Sequence, residues 1–421
     1  MLAPQPGRTS VVPKPIRILS KPVLSAVWKA SRDSKPVAGR SGIDNVTASQ
    51  FAAKLDTNLD YIARRLRSGH YGFSKLRAVF LPKPDSDKER VICIPTIRDR
   101  LVQRAIAEHL ISKRSFPINN QSSFGFIRGL GPQAAIKRTL ELRRRYDWCL
   151  KTDIQSYFDK IPRKLLKAKV AQALKGGSLQ QLVFKIIDCE VKATSQNKTK
   201  LLSQGIVSGI GVRQGMPLSP LLANLALADF DREVERRRIG MVRYAYDLAL
   251  FFRTKEDANE GRHFIKLLLD IFKLSIPEIA DGSKTRIISR SDPLEFLGRE
   301  IVFLGSQECF VARVGTRQVE KIKARLRKEF SFSARSLLGK SFQETIVDLS
   351  RSTTAYLGIY KDAFNYSQFE AELRGVARSI VLAIFQDLFG KEAIDSLSPD
   401  GRRFLGVEIF GAFEPNSELD V

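Results

Sequence analysis

The 421-residue sequence has few of the side chains that build zinc sites or disulfide frameworks. It contains only four cysteines and three histidines. The cysteines (Cys93, Cys149, Cys189 and Cys309) are scattered, and no two of them have the C-x-x-C spacing typical of zinc ligands. We therefore expect no zinc site, and we expect a reducing, cytoplasmic setting.

Long apolar runs are also missing. The longest apolar stretch, residues 218–228, is interrupted by Ser219, Pro220 and Asn224, and is shorter than the ~18 residues that a membrane span requires. The first fifteen residues lack the apolar core of a secretory signal peptide. We expect neither membrane insertion nor secretion.

Acidic residues are in deficit. The chain has 70 Lys and Arg against 45 Asp and Glu, which gives a net charge of +25. Such an excess needs an acidic partner, and polyphosphate is the commonest one. With 43% hydrophobic residues the chain is globular, and its length suggests two or three packed units.

Residues 1–40 are rich in proline and basic residues, and Asp33 is their only acidic residue. Such a composition predicts an extended basic arm without a core of its own. Two interpretations stay open: an arm that lies on a phosphate backbone, and a disordered leader.

Beyond residue 40, helical and strand patterns alternate without a regular βαβ rhythm, which favours an α+β fold. Apolar spacing predicts helices over 48–68, 97–114, 162–174, 221–238 and 319–330. Strands are expected over 75–84, 89–96 and 148–154, and 241–252 is expected to form a hairpin or a strand with a turn.

Two carboxylates lie on apolar strands: Asp153, in KTDIQSYFD, ends one of them, and Asp247 ends the segment RYAYD inside a second one. Taken alone, an aspartate after a strand is more often a turn or cap residue than a metal ligand. Together, the two could hold divalent ions for phosphoryl transfer. Between them, Gln214 and Gly215 belong to a Gly/Pro-shaped loop before a helix, which is either a ligand-approaching loop or an ordinary junction.

The order of these segments resembles the bacterial reverse transcriptases, the group II intron, retron and defence-associated polymerases. The resemblance covers about 60% of the chain, from about Ser41 to Gly298. The matching blocks, in the family's order, are SGIDNVT (41–47), LPKPDSDKERVICIPTIRDRLVQRAI (81–106), SSFGFIRG (122–129), KTDIQSYFD (151–159), RQGMPLSPLLAN (213–224), RYAYD (243–247), GSKTRI (282–287) and EFLGREI (295–301).

The resemblance implies roles for individual residues. Asp153 and Asp247 would hold Mg²⁺, with two ions expected and Mn²⁺ as an alternative, because these hard ions bind carboxylate and phosphate oxygens. Lys83 and Arg90 would bind the incoming triphosphate, and Gln214 would contact the nucleotide or the template side of the pocket.

The resemblance also implies how the substrate is selected and held. Phe158 would lie where a ribose 2′-hydroxyl would sit, which predicts DNA rather than RNA synthesis. Lys284 would donate a proton to the leaving pyrophosphate. The residues expected to bind nucleic acid are Arg128, Lys321, Arg325 and Lys328, and a plain solvated helix face is the alternative for the last three.

One position departs from the family's pattern. The family has two adjacent aspartates where this chain has Tyr246 and Asp247. A phenol is uncharged at neutral pH and is a poor Mg²⁺ ligand, so two carboxylates would remain in place of three and the second metal site should weaken. Tyr246 is an introduced inactivating change, a native residue in an active enzyme, or a mark of a catalytically dead relative.

The resemblance implies an α+β right-hand polymerase. We expect fingers over 41–145, a palm with an antiparallel sheet over 146–312, and a helical thumb with a C-terminal region over 313–421. The expected partners are an RNA template or non-coding RNA, the DNA product, dNTPs, and a partner protein or a second copy of the chain. By exclusion of nuclease and retron landmarks, a stand-alone enzyme of antiviral defence fits best. The alternative is a catalytically dead, maturase-like RNA-binding protein.

Overall fold

The computed structural model describes residues 17–34, 41–82, 89–113, 115–392, 396 and 398–404. Its described residues fall into two compact units. The first unit comprises residues 1–135 and 148–287, and the second comprises residues 136–147 and 288–421. The predicted boundaries between fingers, palm and thumb stay predictions.

The first unit is mainly helical, with two sheets. Its helices before residue 135 are α1 (Lys21–Ser34), α2 (Ala48–Ala53), α3 (Leu55–Arg67) and α4 (Ile97–Ser112), and α5 (Pro132–Arg143) runs on into the second unit. The later helices are α6 (Tyr157–Lys160), α7 (Arg163–Leu174), α8 (Ser178–Ile187), α9 (Lys198–Ser203), α10 (Ser219–Ala226), α11 (Ala228–Arg236) and α12 (Lys255–Ile271).

The described strands of this unit form two sheets, one of two strands and one of four. Strands β1 (Arg77–Pro82) and β2 (Glu89–Ile94) lie in the two segments predicted as strands and pair antiparallel. The central sheet contains β3 (Trp148–Asp153), β4 (Gly240–Tyr244), β5 (Asp247–Phe252) and β6 (Arg286–Ile288), in the order β4-β5-β3-β6. Strand β5 pairs antiparallel with both β3 and β4. The mixture of helices and antiparallel strands confirms the α+β class.

The extended basic arm predicted over residues 1–40 is wrong for residues 21–34, which form the helix α1. Leu24, Val27 and Trp28 are buried in the main hydrophobic core, and the ring of Trp28 packs on Phe51 with a centroid separation of 5.0 Å. Their spacing of three and four residues marks one face of a helix, which the flanking prolines concealed. Residues 1–16 and 35–40 lie outside the described residues.

Two predicted helices are each divided in the structure. The helix expected over 48–68 breaks at Lys54, whose φ of −121° is not helical. The helix expected over 221–238 is divided at Leu227, between α10 and α11. In both cases the apolar spacing continues across the break, so the periodicity alone does not reveal it.

The second unit has its own sheet and its own core. Its elements are β7 (Leu294–Phe296), β8 (Arg299–Leu304), β9 (Cys309–Arg313), α13 (Thr316–Glu329), α14 (Phe332–Leu337), α15 (Phe342–Tyr360), α16 (Tyr366–Phe389) and a short helix Pro399–Phe404. The three strands are antiparallel in the order β7-β8-β9. A helix is predicted over 319–330 from its apolar spacing, and the residues with that spacing are buried: Val319, Ile322 and Leu326 in α13, and Phe330 just after it.

Within the part of the chain that the structure describes, no helix is both long enough and apolar enough to cross a membrane.

Candidate active site

The two predicted carboxylates lie directly opposite each other in the central sheet. Asp153 is the last residue of β3, Asp247 is the first residue of β5, and the two are register partners in the antiparallel pair. Side chains of directly opposed residues lie on the same face of a sheet, with Cβ atoms about 5 Å apart. Asp153 is only 7% exposed, whereas Asp247 is partly exposed. The structure therefore brings these two residues together, as expected.

Tyr246 lies in the tight turn that joins β4 to β5. The turn consists of Ala245 and Tyr246, and Ala245 has a φ of +57°, a left-handed conformation that is unusual for a residue with a Cβ. The backbone oxygen of Tyr246 accepts a hydrogen bond from the amide of Ile154 at 3.0 Å. Its ring packs against the hydrophobic core of the first unit. Tyr246 thus occupies the position next to Asp247 but contributes no carboxylate there.

Lys284 completes the group of charged side chains. Its Nζ donates to Oδ2 of Asp153 at 2.5 Å, although 65% of the lysine side chain is exposed. The next residue, Thr285, is fully buried, and its hydroxyl lies 2.7 Å from that of Thr152, the neighbour of Asp153. The hydroxyl pair fixes the backbone beside Lys284 against β3.

The charges at this site shift the pKa values of two of its groups. Burial raises the pKa of Asp247 above its usual range; the charge of Lys151 lowers it, that of Asp153 raises it, and Lys284 lowers it. Burial alone would lower the pKa of Lys284, but the hydrogen bond and the charge of Asp153, with the charge of Asp247, raise it above its usual value. Lys284 is therefore an ammonium at neutral pH.

Gln214 and Phe158 belong to segments that pack tightly on their neighbours. The backbone oxygen of Gln214 accepts a hydrogen bond from Cys93 of β2 at 2.7 Å. Gly215 has a φ of +104°, and a Cβ there would lie 2.7 Å from the oxygen of Cys93, so only glycine fits. Phe158 is buried in α6, and its backbone oxygen accepts from Val212 at 2.7 Å.

The remaining predicted site residues are more scattered. Arg90 is exposed on β2, the strand that carries Cys93. Arg128 is exposed in the segment 122–129, which precedes α5. Lys83 lies outside the described residues. Lys321, Arg325 and Lys328 are exposed on α13 of the second unit. The roles of all these residues stay predictions.

A buried ion pair that the sequence reasoning missed supports the turn before Asp247. Arg243 of β4 and Asp231 of α11 are both fully buried, and two hydrogen bonds of 2.7 and 2.5 Å join the guanidinium to the carboxylate. The same guanidinium donates to the backbone oxygen of Ala245 at 3.0 Å. The available signal was an arginine within the apolar strand segment MVRY, because a charge there needs a buried partner.

The ion pair extends to the segment 122–129. Arg243 also donates to the side chain of Asn224, which in turn donates to the backbone oxygen of Gly125 at 2.7 Å. A Cβ on Gly125 would lie 2.5 Å from the amide nitrogen of Ala245, so a glycine is required where this segment crosses the turn. The turn between β4 and β5 is therefore contacted both by the Arg243 guanidinium and by the backbone at Gly125.

A second charged cluster fixes the loop that leads to Gln214. Glu190 accepts hydrogen bonds from Arg163 at 2.6 Å and from the fully buried Arg213 at 2.8 Å. Burial alone would raise the pKa of Glu190, but hydrogen bonds from Arg213, the Gly209 amide and Arg163 lower it to about 2. The sequence reasoning missed this cluster, and no motif marks it.

The described residues contain no group of three or more His, Cys, Asp or Glu side chains placed to hold a metal ion. At the site, Asp153 and Asp247 are two carboxylates with hard oxygen donors, the kind that Mg²⁺ and Mn²⁺ bind. Two carboxylates are better suited to hold one divalent ion than to hold two divalent ions. A second ion would lack a carboxylate ligand at the position of Tyr246.

Comparison with known proteins identifies one family. The family model described as "Reverse transcriptase (RNA-dependent DNA polymerase)" matches residues 81–301, just over half of the chain. This range contains Asp153, Asp247 and Lys284.

Curated relatives cover a similar part of the chain. Protein YkfC of Escherichia coli K12 is 30% identical over 53% of this chain and 58% of its own length. The group II intron-encoded protein LtrA of Lactococcus lactis subsp. cremoris is 29% identical over 52% of this chain and 34% of its own length. The retron Ec83 reverse transcriptase of Escherichia coli is 27% identical over 40% of this chain and 49% of its own length. The chain thus spans about a third to three fifths of these relatives.

Among solved structures, a telomerase from Candida tropicalis in complex with a fragment of telomeric RNA aligns with a TM-score of 0.45 and 12% identity, over 88% of this chain and 67% of that chain.

Replacing Asp231 by Ala is expected to destabilise the protein by roughly 3–5 kcal/mol, because it leaves the Arg243 guanidinium buried without its carboxylate. Urea unfolding measures this change. Asp229→Ala is the matched control on the same helix: its carboxylate is partly exposed, so the loss should be about 1 kcal/mol or less. Equal losses in the two variants would contradict the structural role assigned to the buried pair.

Proposed function

Because this chain belongs to the reverse transcriptase family of bacterial group II intron- and retron-like enzymes, we propose that it is an RNA-directed DNA polymerase that uses dNTPs. The observation that carries this proposal is the across-strand pair of Asp153 and Asp247 with Lys284 hydrogen-bonded to it. Opposed carboxylates beside a lysine are the groups that nucleotidyl transfer needs for metal binding and phosphate neutralisation.

Asp153 and Asp247 would hold Mg²⁺ or Mn²⁺, which when bound supplies positive charge against the phosphates and lowers the pKa of the attacking hydroxyl. Tyr246 leaves the second of the two expected ions with fewer protein ligands. Substrate phosphate oxygens can supply further ligands, since Mg²⁺ is commonly bound by one or two carboxylates together with phosphates. Two carboxylates are therefore compatible with catalysis.

The other predicted residues would bind and select the nucleotide. The exposed guanidinium of Arg90 can make two parallel hydrogen bonds to a phosphate, and Lys83 would add a second positive charge. Gln214 is fixed through its backbone to the strand that carries Arg90, which supports a role beside the same substrate. Lys284 would protonate the leaving pyrophosphate, since its raised pKa keeps the ammonium charged at neutral pH.

One observation favours a second candidate. Tyr246 removes a carboxylate from the site, and Lys284 already neutralises part of the charge that remains. A protein that keeps the polymerase fold and its basic surface without catalysis would be a maturase-like RNA-binding protein. The two candidate functions differ in whether the site that contains Asp153 and Asp247 catalyses nucleotide incorporation.

The deciding experiment measures incorporation of labelled dNTPs on an RNA template with an annealed DNA primer, in Mg²⁺ and in Mn²⁺. We expect incorporation by the unsubstituted chain. Asp153→Ala should reduce it by about a thousandfold, ~4 kcal/mol of transition-state stabilisation, because a metal ligand is removed. Tyr246→Asp should raise it, most strongly in Mg²⁺.

The control variant for this assay is Asp229→Ala, whose carboxylate lies on α11 and pairs with Lys169 and Arg232, neither of which is assigned to catalysis. Its incorporation should match that of the unsubstituted chain. Activity only after Tyr246→Asp would indicate an intact but disabled site. No activity in any variant, with RNA binding retained, would establish the RNA-binding candidate instead.

Phe158 is expected to exclude ribonucleotides. Replacement by Val or Ala should raise incorporation of rNTPs relative to dNTPs by about tenfold or more, because the clash between the ring and a 2′-hydroxyl would be relieved. Competition between rNTPs and dNTPs in an active background measures this ratio. Tyr157→Phe serves as a control for local packing, because Tyr157 is the adjacent buried aromatic residue. Unchanged sugar selectivity would remove Phe158 from this role.

The exposed basic face of α13 is expected to bind nucleic acid. Its members are Lys321, Arg325 and Lys328, and Arg325 also pairs with Glu329 at 2.8 Å. Replacing all three by Gln should flatten the slope of log affinity against log salt by about 2, because up to three phosphate contacts would be lost on single-stranded RNA. Binding to labelled RNA over a salt series measures the slope.

The matched control removes the same charge elsewhere, by replacing Lys175, Lys192 and Lys198, three exposed lysines of the first unit, with Gln. If the slope of log affinity against log salt is the same in the α13 variant and in the unsubstituted chain, the basic face of α13 is an ordinary solvated surface.

A non-coding RNA, a partner protein or a second copy of the chain, a cytoplasmic location and a role in antiviral defence remain part of this proposal. They rest on the sequence resemblance and on the charge of +25. Sequencing the nucleic acid that copurifies with the protein would identify its template.

A further inference from the structure

The candidate site is close to electrically neutral. Asp153 and Asp247 contribute two negative charges, and the ammonium groups of Lys284 and Lys151 both interact with Asp247 through their charges. Lys284 also contacts Asp153 directly at 2.5 Å. A carboxylate at position 246 would leave such a group with a net negative charge. With Tyr246 there, the two lysines balance the two carboxylates.

The structure holds the backbone of Lys284 in place but leaves its side chain able to move. Thr285 donates to the backbone oxygen of Pro277 at 2.7 Å, in addition to its hydroxyl contact with Thr152. The lysine side chain is 65% exposed, so its flexible stem can carry the ammonium away from Asp153 without a change in the core.

We propose that Lys284 is a tethered counterion of the Asp153–Asp247 pair and competes with a divalent cation for Asp153 until a polyphosphate draws the ammonium away. This inference rests on the metal-binding role proposed above for the two aspartates. The Oδ2 atom of Asp153 that accepts the hydrogen bond from Lys284 is a preferred ligand atom for Mg²⁺ or Mn²⁺. An ammonium and a divalent cation repel each other, so the ammonium on Oδ2 weakens the binding of a cation to the Asp153 carboxylate.

The competition couples metal binding to nucleotide binding. A triphosphate carries several negative charges and attracts the Lys284 ammonium, which frees Asp153 for the cation. By linkage, a cation on Asp153 would favour the triphosphate by the same factor. The site with Tyr246 in place of a carboxylate would therefore bind a divalent cation weakly on its own. Its affinity for the cation would rise when a triphosphate binds.

The test measures Mn²⁺ binding to the full chain by electron paramagnetic resonance, without nucleotide or nucleic acid. Lys284→Met should bind Mn²⁺ about tenfold more tightly than the unsubstituted chain, a difference of ~1.4 kcal/mol. Lys284→Arg keeps a cation and should stay weak. The control, Lys198→Met, removes an exposed lysine on α9 and should leave binding unchanged. Circular dichroism checks that each variant is folded.

Two further variants separate the failure of this inference from the failure of the metal site. Tyr246→Asp adds a carboxylate and should bind Mn²⁺ more tightly. If it does, while Lys284→Met binds no better than the unsubstituted chain, the counterion role is overturned and the metal site stands. A gain in Lys284→Met that survives Asp153→Ala would place the ion elsewhere and would also overturn the inference. If neither Tyr246→Asp nor Lys284→Met binds Mn²⁺, the metal-binding role fails and the inference fails with it.

Discussion

The candidate site depends on the buried ion pair between Arg243 and Asp231. Removing two charges from water carries a large desolvation cost, which the pair recovers only through close geometry and further hydrogen bonds. Here the guanidinium also donates to Ala245 and Asn224, so the interaction that neutralises the charge also positions the turn between β4 and β5. Through that turn, the pair determines where β5 begins and so where Asp247 lies.

The antiparallel register of β3 and β5 then places Asp153 opposite Asp247. Because β5 pairs with β3 along its whole length, fixing the first residue of β5 also fixes the residue opposite it, which is Asp153. A slip by one residue would place the two carboxylates on opposite faces of the sheet. The hydrophobic residues of both strands resist such a slip, since Leu150, Leu248 and their neighbours are buried and would lose their packing partners.

Much of this arrangement could be predicted from the sequence, and the failures have physical causes. Asp153 and Asp247 could be recognised because each carboxylate adjoins a run of apolar residues in the sequence. The partner of Arg243 lies twelve residues away on another element, and no local pattern encodes that contact. Helix α1 was missed because prolines and basic residues dominate its surroundings, although Trp28 and its apolar neighbours are buried.

Buried residues of the site do not by themselves argue for chemistry, since folding stability accounts for Arg243, Asp231 and Gly125. The polar groups that folding does not require are more informative. Burial raises the pKa of Asp247, so its ionised form is held at a cost that the structure only partly offsets through Lys151 and Lys284. Such perturbed carboxylates cluster at functional sites. A cation drawn from solution would relieve this cost, which supports the proposal that the pair binds a cation.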